Sequence, residues 1–151
     1  MNELRILIAG GGTGGHLFPA LAIGEEILNR NSKAKIHFVG SIFGLEARVF
    51  PVKDVWHTLL PISGLQRSIS PENIFRNFLL PMRFMRSFFK TKKLINDFKP
   101  NIIVGTGGYA SAIPLFIASK KNKLPIILQE QNSYPGMTTR WFAKKAKKVC
   151  V

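Results

Sequence analysis

Five glycines fill six residues at Gly10-Gly11-Gly12-Thr13-Gly14-Gly15. They separate a short apolar run, Arg5–Ala9, from a longer stretch, Leu17–Arg30. In that stretch Leu17, Ala20, Leu21, Ile27 and Leu28 recur near helical spacing. A buried strand that turns through glycine into a helix is the opening unit of a parallel sheet, whose strands need crossover helices to return in the same direction. The rest of the chain repeats the theme. Ile36–Val39, His57–Leu60, Ile102–Gly105 and Pro125–Gln129 read as strands, and Lys148–Val151 begins another. Leu45–Phe50 and Met137–Lys145 read as helices between them. The expectation is an α/β domain: a Rossmann-like parallel sheet flanked by helices. A length of 151 residues suits one domain with one core, spanning 1–151. The sequence stops inside an apparent strand, so a further, carboxy-terminal domain is expected to be absent from it.

The glycine loop is suited to phosphate. Glycine lets backbone approach a ligand closely and adopt positive φ. The first amides of the following helix have no partner within it, and the helix dipole favours negative charge there. Gly10, Gly12 and Gly15 match the spacing of a dinucleotide fingerprint. However, the second strand ends in Gly40-Ser41, and Glu46 comes too late to hold a ribose. No GK[ST] follows, which excludes a P-loop. His16 closes the loop at the start of the helix. The positive end of the dipole favours the neutral imidazole that a general base needs. His37 and His57 lie in or beside strands and read as structural.

Two further polar turns follow strands. Gly105-Thr106-Gly107-Gly108-Tyr109 repeats the strand–glycine–helix order, and Gln129-Glu130-Gln131-Asn132 leaves the next strand ahead of Pro135-Gly136. In an open parallel sheet, ligands bind beyond the carboxyl ends of the strands, so all three turns are expected at one edge. The polar cluster suits sugar hydroxyls, with Glu130 orienting a base or acting as one.

Composition narrows the partners without choosing among them. The formal charge is +14, which favours nucleic acid, an anionic lipid surface or phosphates. No signal peptide is visible at the start, and no apolar run is long enough to span a bilayer. Three histidines and one cysteine, Cys150, show no metal-ligand spacing, and no paired aspartates suggest magnesium, so neither metal nor cofactor is expected. The single cysteine fits a reducing cytoplasm.

Ile74 to Lys93 concentrates Phe, Leu, Met and Arg. On an ideal helix Arg76, Arg83, Arg86, Lys90 and Lys93 share one arc, while Phe78, Met82, Met85 and Phe89 lie on the neighbouring face. Pro81 interrupts the pattern, so two helical pieces are expected. A basic amphipathic segment suits an anionic membrane, with Phe78, Met82, Arg83, Arg86, Phe89 and Lys90 as its contacts. A nucleic-acid domain would need aromatic platforms along a basic groove. Here the aromatics sit with the amphipathic segment, so no nucleic acid is expected.

Taken together the motifs resemble a known family. Gly11-Gly12-Thr13-Gly14-Gly15-His16 with Phe18-Pro19-Ala20-Leu21-Ala22 is similar to the first glycine-loop signature of the MurG glycosyltransferases. Gly107-Gly108-Tyr109-Ala110-Ser111 resembles the second, and Glu130-Gln131-Asn132 with Pro135-Gly136 the third. Gly44-Leu45-Glu46 and Ser63-Gly64-Leu65 fit the intervening pattern. The resemblance covers the chain and about the first half of the family's length.

It implies the amino-terminal half of a two-domain GT-B transferase without a cofactor. The implied reaction passes N-acetylglucosamine from UDP-N-acetylglucosamine to lipid I with inversion, giving the peptidoglycan precursor lipid II. The implied place is the cytoplasmic face of the bacterial inner membrane. By the match, Thr13, Gly14, Gly15 and Asn132 contact the UDP-sugar. His16 and Glu130 are catalytic, and Gly12, Gly107, Gly108, Tyr109 and Gln131 adjoin the acceptor. The missing half would hold most of the donor. A split transferase, with its nucleotide site on a separate chain, is the alternative. Two departures stand out: Gln129 replaces the family's histidine, and Ser111-Ala112-Ile113 replaces Ser-Gly-Pro.

Overall fold

The computed structural model describes residues 3–64, 70, 77–120 and 124–151. Leu65, Ile74 and Arg76, which figured in the motifs above, lie outside that range. Among the described residues the elements run β1 (Arg5–Gly10), α1 (Gly14–Arg30), β2 (Lys35–Ser41), α2 (Glu46–Val52), β3 (His57–Leu60), α3 (Leu80–Phe98), β4 (Ile102–Gly107), α4 (Tyr109–Lys120), β5 (Ile126–Gln129), α5 (Met137–Phe142), a 3-10 turn (Ala143–Lys145) and β6 (Lys148–Cys150).

The six strands form one sheet in the order β3-β2-β1-β4-β5-β6. Every pairing is parallel. The expected class therefore holds. Strand order reverses between β1 and β4, which makes that pair the topological switch point, where a crevice opens beyond the strand ends.

Alternation along β1 divides two packing layers. Leu7 and Ala9 join a core with Ile103, Ile113, Leu115 and Leu128 under α3, α4 and α5. Ile6 and Ile8 join Leu17, Leu21, Phe38 and Phe50 under α1 and α2. Period-two side-chain direction in a strand covered on both faces requires this split. Helix α4 buries Ala110, Ile113, Leu115, Ile117 and Ala118, so it lacks the polar face of a surface helix.

Several boundaries differ from the sequence reading. Helix α1 begins at Gly14 rather than Leu17, because only Gly11 and Gly12 of its loop take positive φ and the next glycines are already helical. Strand β4 runs to Gly107, beyond the expected Gly105. The break expected at Pro81 falls just before it, where Leu79 is a turn. Pro81 itself sits in the first turn of α3, where its missing N–H has no helical partner to lose.

Candidate functional site

The ends of β1 and β4 lie side by side, with a register shift between Ala9 and Gly10 that pairs Gly10 with Gly107. Their glycine loops pack so closely that side chains are excluded. A Cβ on Gly108 (φ +77°) would collide with the carbonyl of Gly11. A Cβ on Gly107 would lie 2.6 Å from His16 Nδ1, and one on Gly12 (φ +93°) would lie 2.9 Å from the Tyr109 ring. The two loops, His16 and Tyr109 are thus one packed unit.

His16 is held at both ends of its residue. The Thr106 hydroxyl donates to the His16 carbonyl at 2.7 Å. The His16 ring places Nδ1 3.0 Å from the Thr106 carbonyl. A carbonyl only accepts, so Nδ1 carries the proton and Nε2 of the neutral ring is bare. The Gln131 amide also meets Nδ1, at 2.8 Å. The atom placed there is the amide nitrogen Nε2, which would repel an Nδ1–H, so a half-turn of the amide that presents its oxygen instead reconciles this contact with the Thr106 bond. This contact joins the third polar turn to the first. The amides of Gly14 and Gly15 open α1 beside it, where an α-helix has no internal acceptor for them.

Glu46 is fully buried beneath the loop. Its carboxylate accepts from the Gly12 amide at 2.8 Å and the Ser41 amide at 2.7 Å. The hollow exists because positions 11, 40 and 44 lack a Cβ: one added at any of them would strike the Glu46 side chain. The acid rejected as a ribose ligand therefore ties the end of β2 to the first glycine loop. Its position among three glycines was the signal in the sequence.

Tyr109 is half-buried, and its ring also faces Gly64. Burial, aided by the Glu46 charge and opposed by a hydrogen bond with Ser41, pushes the phenol above its ordinary value, so it stays a donor.

Glu130 is engaged within its own turn. Its carboxylate is 4% exposed and accepts from the Asn132 amide (3.1 Å), Asn132 Nδ2 (2.8 Å), the Gly136 amide (2.9 Å) and the Thr139 hydroxyl (2.6 Å). Burial acts to raise its pKa, but these donors outweigh it and hold the carboxyl below the usual range. Glu130 orients Asn132 and braces the turn that follows it. Asn132 and Gln131 are exposed, as are Thr13 and Gly15. Gln129 lies at the end of β5 with its buried Oε1 unpaired.

The amphipathic segment behaves as expected in part. Phe78, Met82, Met85 and Phe89 are all exposed, as are Arg86 and Lys93. The opposite face, through Ser87, Thr91, Ile95 and Phe98, is buried. Lys90 turns back to donate to the Leu59 carbonyl at 2.8 Å. Arg83 is only part-exposed and lies over the Phe43 ring. Two other hollows, of about 510 and 300 Å³, share Lys35 and Trp56 at the opposite edge of the sheet, away from the glycine loops. No group of three or more metal-ligating side chains occurs among the described residues.

A doubly wound parallel sheet whose switch point carries two interlocked glycine loops packed around a histidine defines an α/β domain of the Rossmann-like class. The chain belongs to the glycosyltransferase family 28 N-terminal domain family, whose model matches residues 6–151. Two curated relatives bear the name UDP-N-acetylglucosamine–N-acetylmuramyl-(pentapeptide) pyrophosphoryl-undecaprenol N-acetylglucosamine transferase. That of Amoebophilus asiaticus is 40% identical over 98% of this chain and 40% of its own length. That of Christiangramia forsetii is 43% identical over 97% of this chain and 39% of its own. The crystal structure of Acinetobacter baumannii MurG superposes with a TM-score of 0.75 at 22% identity, covering 97% of this chain and 40% of that one. That likeness concerns the fold. The chain spans about 40% of the length of the relatives it matches.

Proposed function

We propose that this chain is the acceptor-binding half of an inverting transferase that moves N-acetylglucosamine from UDP-N-acetylglucosamine to a lipid-linked muramoyl acceptor, lipid I. The observation that carries the reading is the His16 ring. Its Nδ1–H is committed to Thr106, which leaves Nε2 free beside the amides that open α1. In the proposed step the acceptor 4-hydroxyl attacks the anomeric carbon. Its proton passes to His16 Nε2, and UDP departs with the electron pair of the broken bond. Tyr109, kept as a phenol, and Gln131 line the acceptor side. Thr13, Gly14, Gly15 and Asn132 face the donor, and Glu130 holds Asn132 in place. The relatives' names supply the substrates, and their greater length supports a further domain that completes the donor site.

The proposed place of work is the cytoplasmic face of the bacterial inner membrane. The exposed Phe and Met residues of α3 and Arg86 rest on anionic lipid. No helix among the described residues is long and apolar enough to cross a membrane. The test is a chimera of this chain with the carboxy-terminal part of a curated relative, assayed with UDP-N-acetylglucosamine and a short-chain lipid-linked acceptor. His16→Ala is expected to lower kcat by roughly 10²- to 10⁴-fold, the usual contribution of a general base, with donor KM little changed. An unaltered kcat removes His16 from the chemistry.

A further inference from the structure

Arg83 belongs by sequence spacing to the basic arc of α3, but its geometry sets it apart. Arg86 and Lys93 of that arc are exposed. Arg83 is only partly exposed, and its guanidinium lies 4.7 Å from the centre of the Phe43 ring. Its Nη1 donates to the Ser63 hydroxyl at 3.3 Å. The next residue, Gly64, lies against the Tyr109 ring, and that ring packs on Gly12. A short run of contacts therefore leads from Arg83 to the first glycine loop.

Among the described residues no carboxylate pairs with it. The ion pairs among the described residues join Glu3 to Arg5 and Lys35, and Glu26 to Arg30. A partly desolvated guanidinium that uses one N–H on a described partner suits a phosphate, whose oxygens match its planar fork. The apolar residues around it say which kind. Phe43, against which the guanidinium lies, is exposed together with its neighbours Ile42 and Leu45, and Phe78, Met82 and Met85 are exposed along the same segment as Arg83. Free phosphate or a nucleotide gains nothing from such flanks, whereas the diphosphate of an isoprenoid lipid meets charge and hydrocarbon together.

We propose that Arg83, held between Phe43 and Ser63, grips the diphosphate of the lipid-linked acceptor and leads it from the apolar stripe of α3 to the glycine loops. This rests on the acceptor-half reading above. It takes Arg83 out of the set of residues that merely lie on the lipid surface.

The probes are farnesyl diphosphate, farnesol and UDP, with vesicles of phosphatidylglycerol and phosphatidylethanolamine. Arg83→Met keeps the stem's packing on Phe43. It is expected to bind farnesyl diphosphate about tenfold more weakly or worse, the loss of a charge-assisted contact, with farnesol and UDP affinities unchanged. Its partitioning onto vesicles should stay near that of the parent chain, whereas Arg86→Ala should lose about fivefold. Arg83→Lys, which keeps the charge without the fork, should recover part of the diphosphate affinity. Arg83→Gln carries the same test should the methionine variant not fold.

Diphosphate affinity equal to the parent's in Arg83→Met, or a loss confined to vesicles, overturns this inference alone. A selective loss of UDP binding overturns it too, by moving Arg83 to the donor. A parent chain that binds farnesyl diphosphate no better than farnesol removes the acceptor-half reading, and this inference with it.

Discussion

Glu46 and His37 show how much a single buried side chain controls in this domain. Glu46 carries its carboxylate into a pocket of three glycines and satisfies two backbone amides, one in the first glycine loop and one at the end of β2. Replacing it with alanine strands both amides in a closed space. At about 1–3 kcal/mol for each buried unsatisfied group, Glu46→Ala should destabilise the fold by several kcal/mol. It should also loosen Gly12 and Tyr109. Urea denaturation together with amide exchange at Gly12 would measure both, and a variant as stable as the parent would deny the carboxylate its organising role.

His37 is 4% exposed, lies between Trp56 and Phe98, and pairs Nε2 with the Thr58 hydroxyl at 2.8 Å. Burial, with a smaller push from the charge of His57, lowers its pKa to about 4. The folded state thus keeps this ring neutral while the unfolded chain protonates it near pH 6.5. Its contribution is complete above that pH and drains away as pH falls toward 4, by up to about 3 kcal/mol. Unfolding midpoints at pH 7 and pH 5 should therefore differ more for the parent than for His37→Phe. Equal losses would contradict the assignment.

At the scale of elements, α3 divides its duties by face. Ser87, Thr91, Ile95 and Phe98 pack inward, so helix and sheet stay together when the outer face changes. Phe78, Met82, Met85 and Phe89 form the outer apolar stripe, with Arg86 beside it. Arg86→Glu should reduce partitioning onto anionic vesicles by more than fivefold, since it both removes a favourable charge worth about 1 kcal/mol and adds a repulsive one. Sedimentation with vesicles of rising anionic content checks this, and indifference to the substitution would argue that the stripe docks elsewhere. Periodicity in the sequence marked a helical segment with basic and apolar outer faces, but it ended that segment at Lys93 and did not identify the buried face that runs to Phe98. It could not show that Lys90 and Arg83 bend back toward β3 and the Ser63 turn, because long side chains choose partners only after the elements have packed.

At the scale of the molecule, the candidate site is gathered from distant parts of the chain. The three polar turns bring together His16, Gln131, Tyr109 and the glycine amides at one edge of the sheet. A transfer reaction also needs the donor fixed opposite the acceptor, in a site that excludes water. The isolated chain is expected to show no turnover of UDP-N-acetylglucosamine with a lipid-linked acceptor, and a chromatographic assay of product would detect any. Sustained turnover by the chain alone would mean that the donor site is complete within these residues.

Strand and helix order, the parallel class and the placing of three loops at one edge were legible in the sequence alone. Short β-branched runs, helical spacing and glycine punctuation are local properties, and parallel topology leaves few ways to connect them. The sites at Gly12, His16, Tyr109 and Gln131 were legible as positions. What they touch depends on distant residues: the His16 ring meets Thr106 across 90 residues, and Glu46 anchors Gly12 across 34. Glu130 shows the same limit in reverse, since a carboxylate next to a polar turn reads as available until the fold directs four donors onto it. Periodicity records which way a side chain faces along its own element. Only tertiary packing decides what it meets there, because hydrogen-bond partners and desolvation depend on neighbours that are remote in the chain.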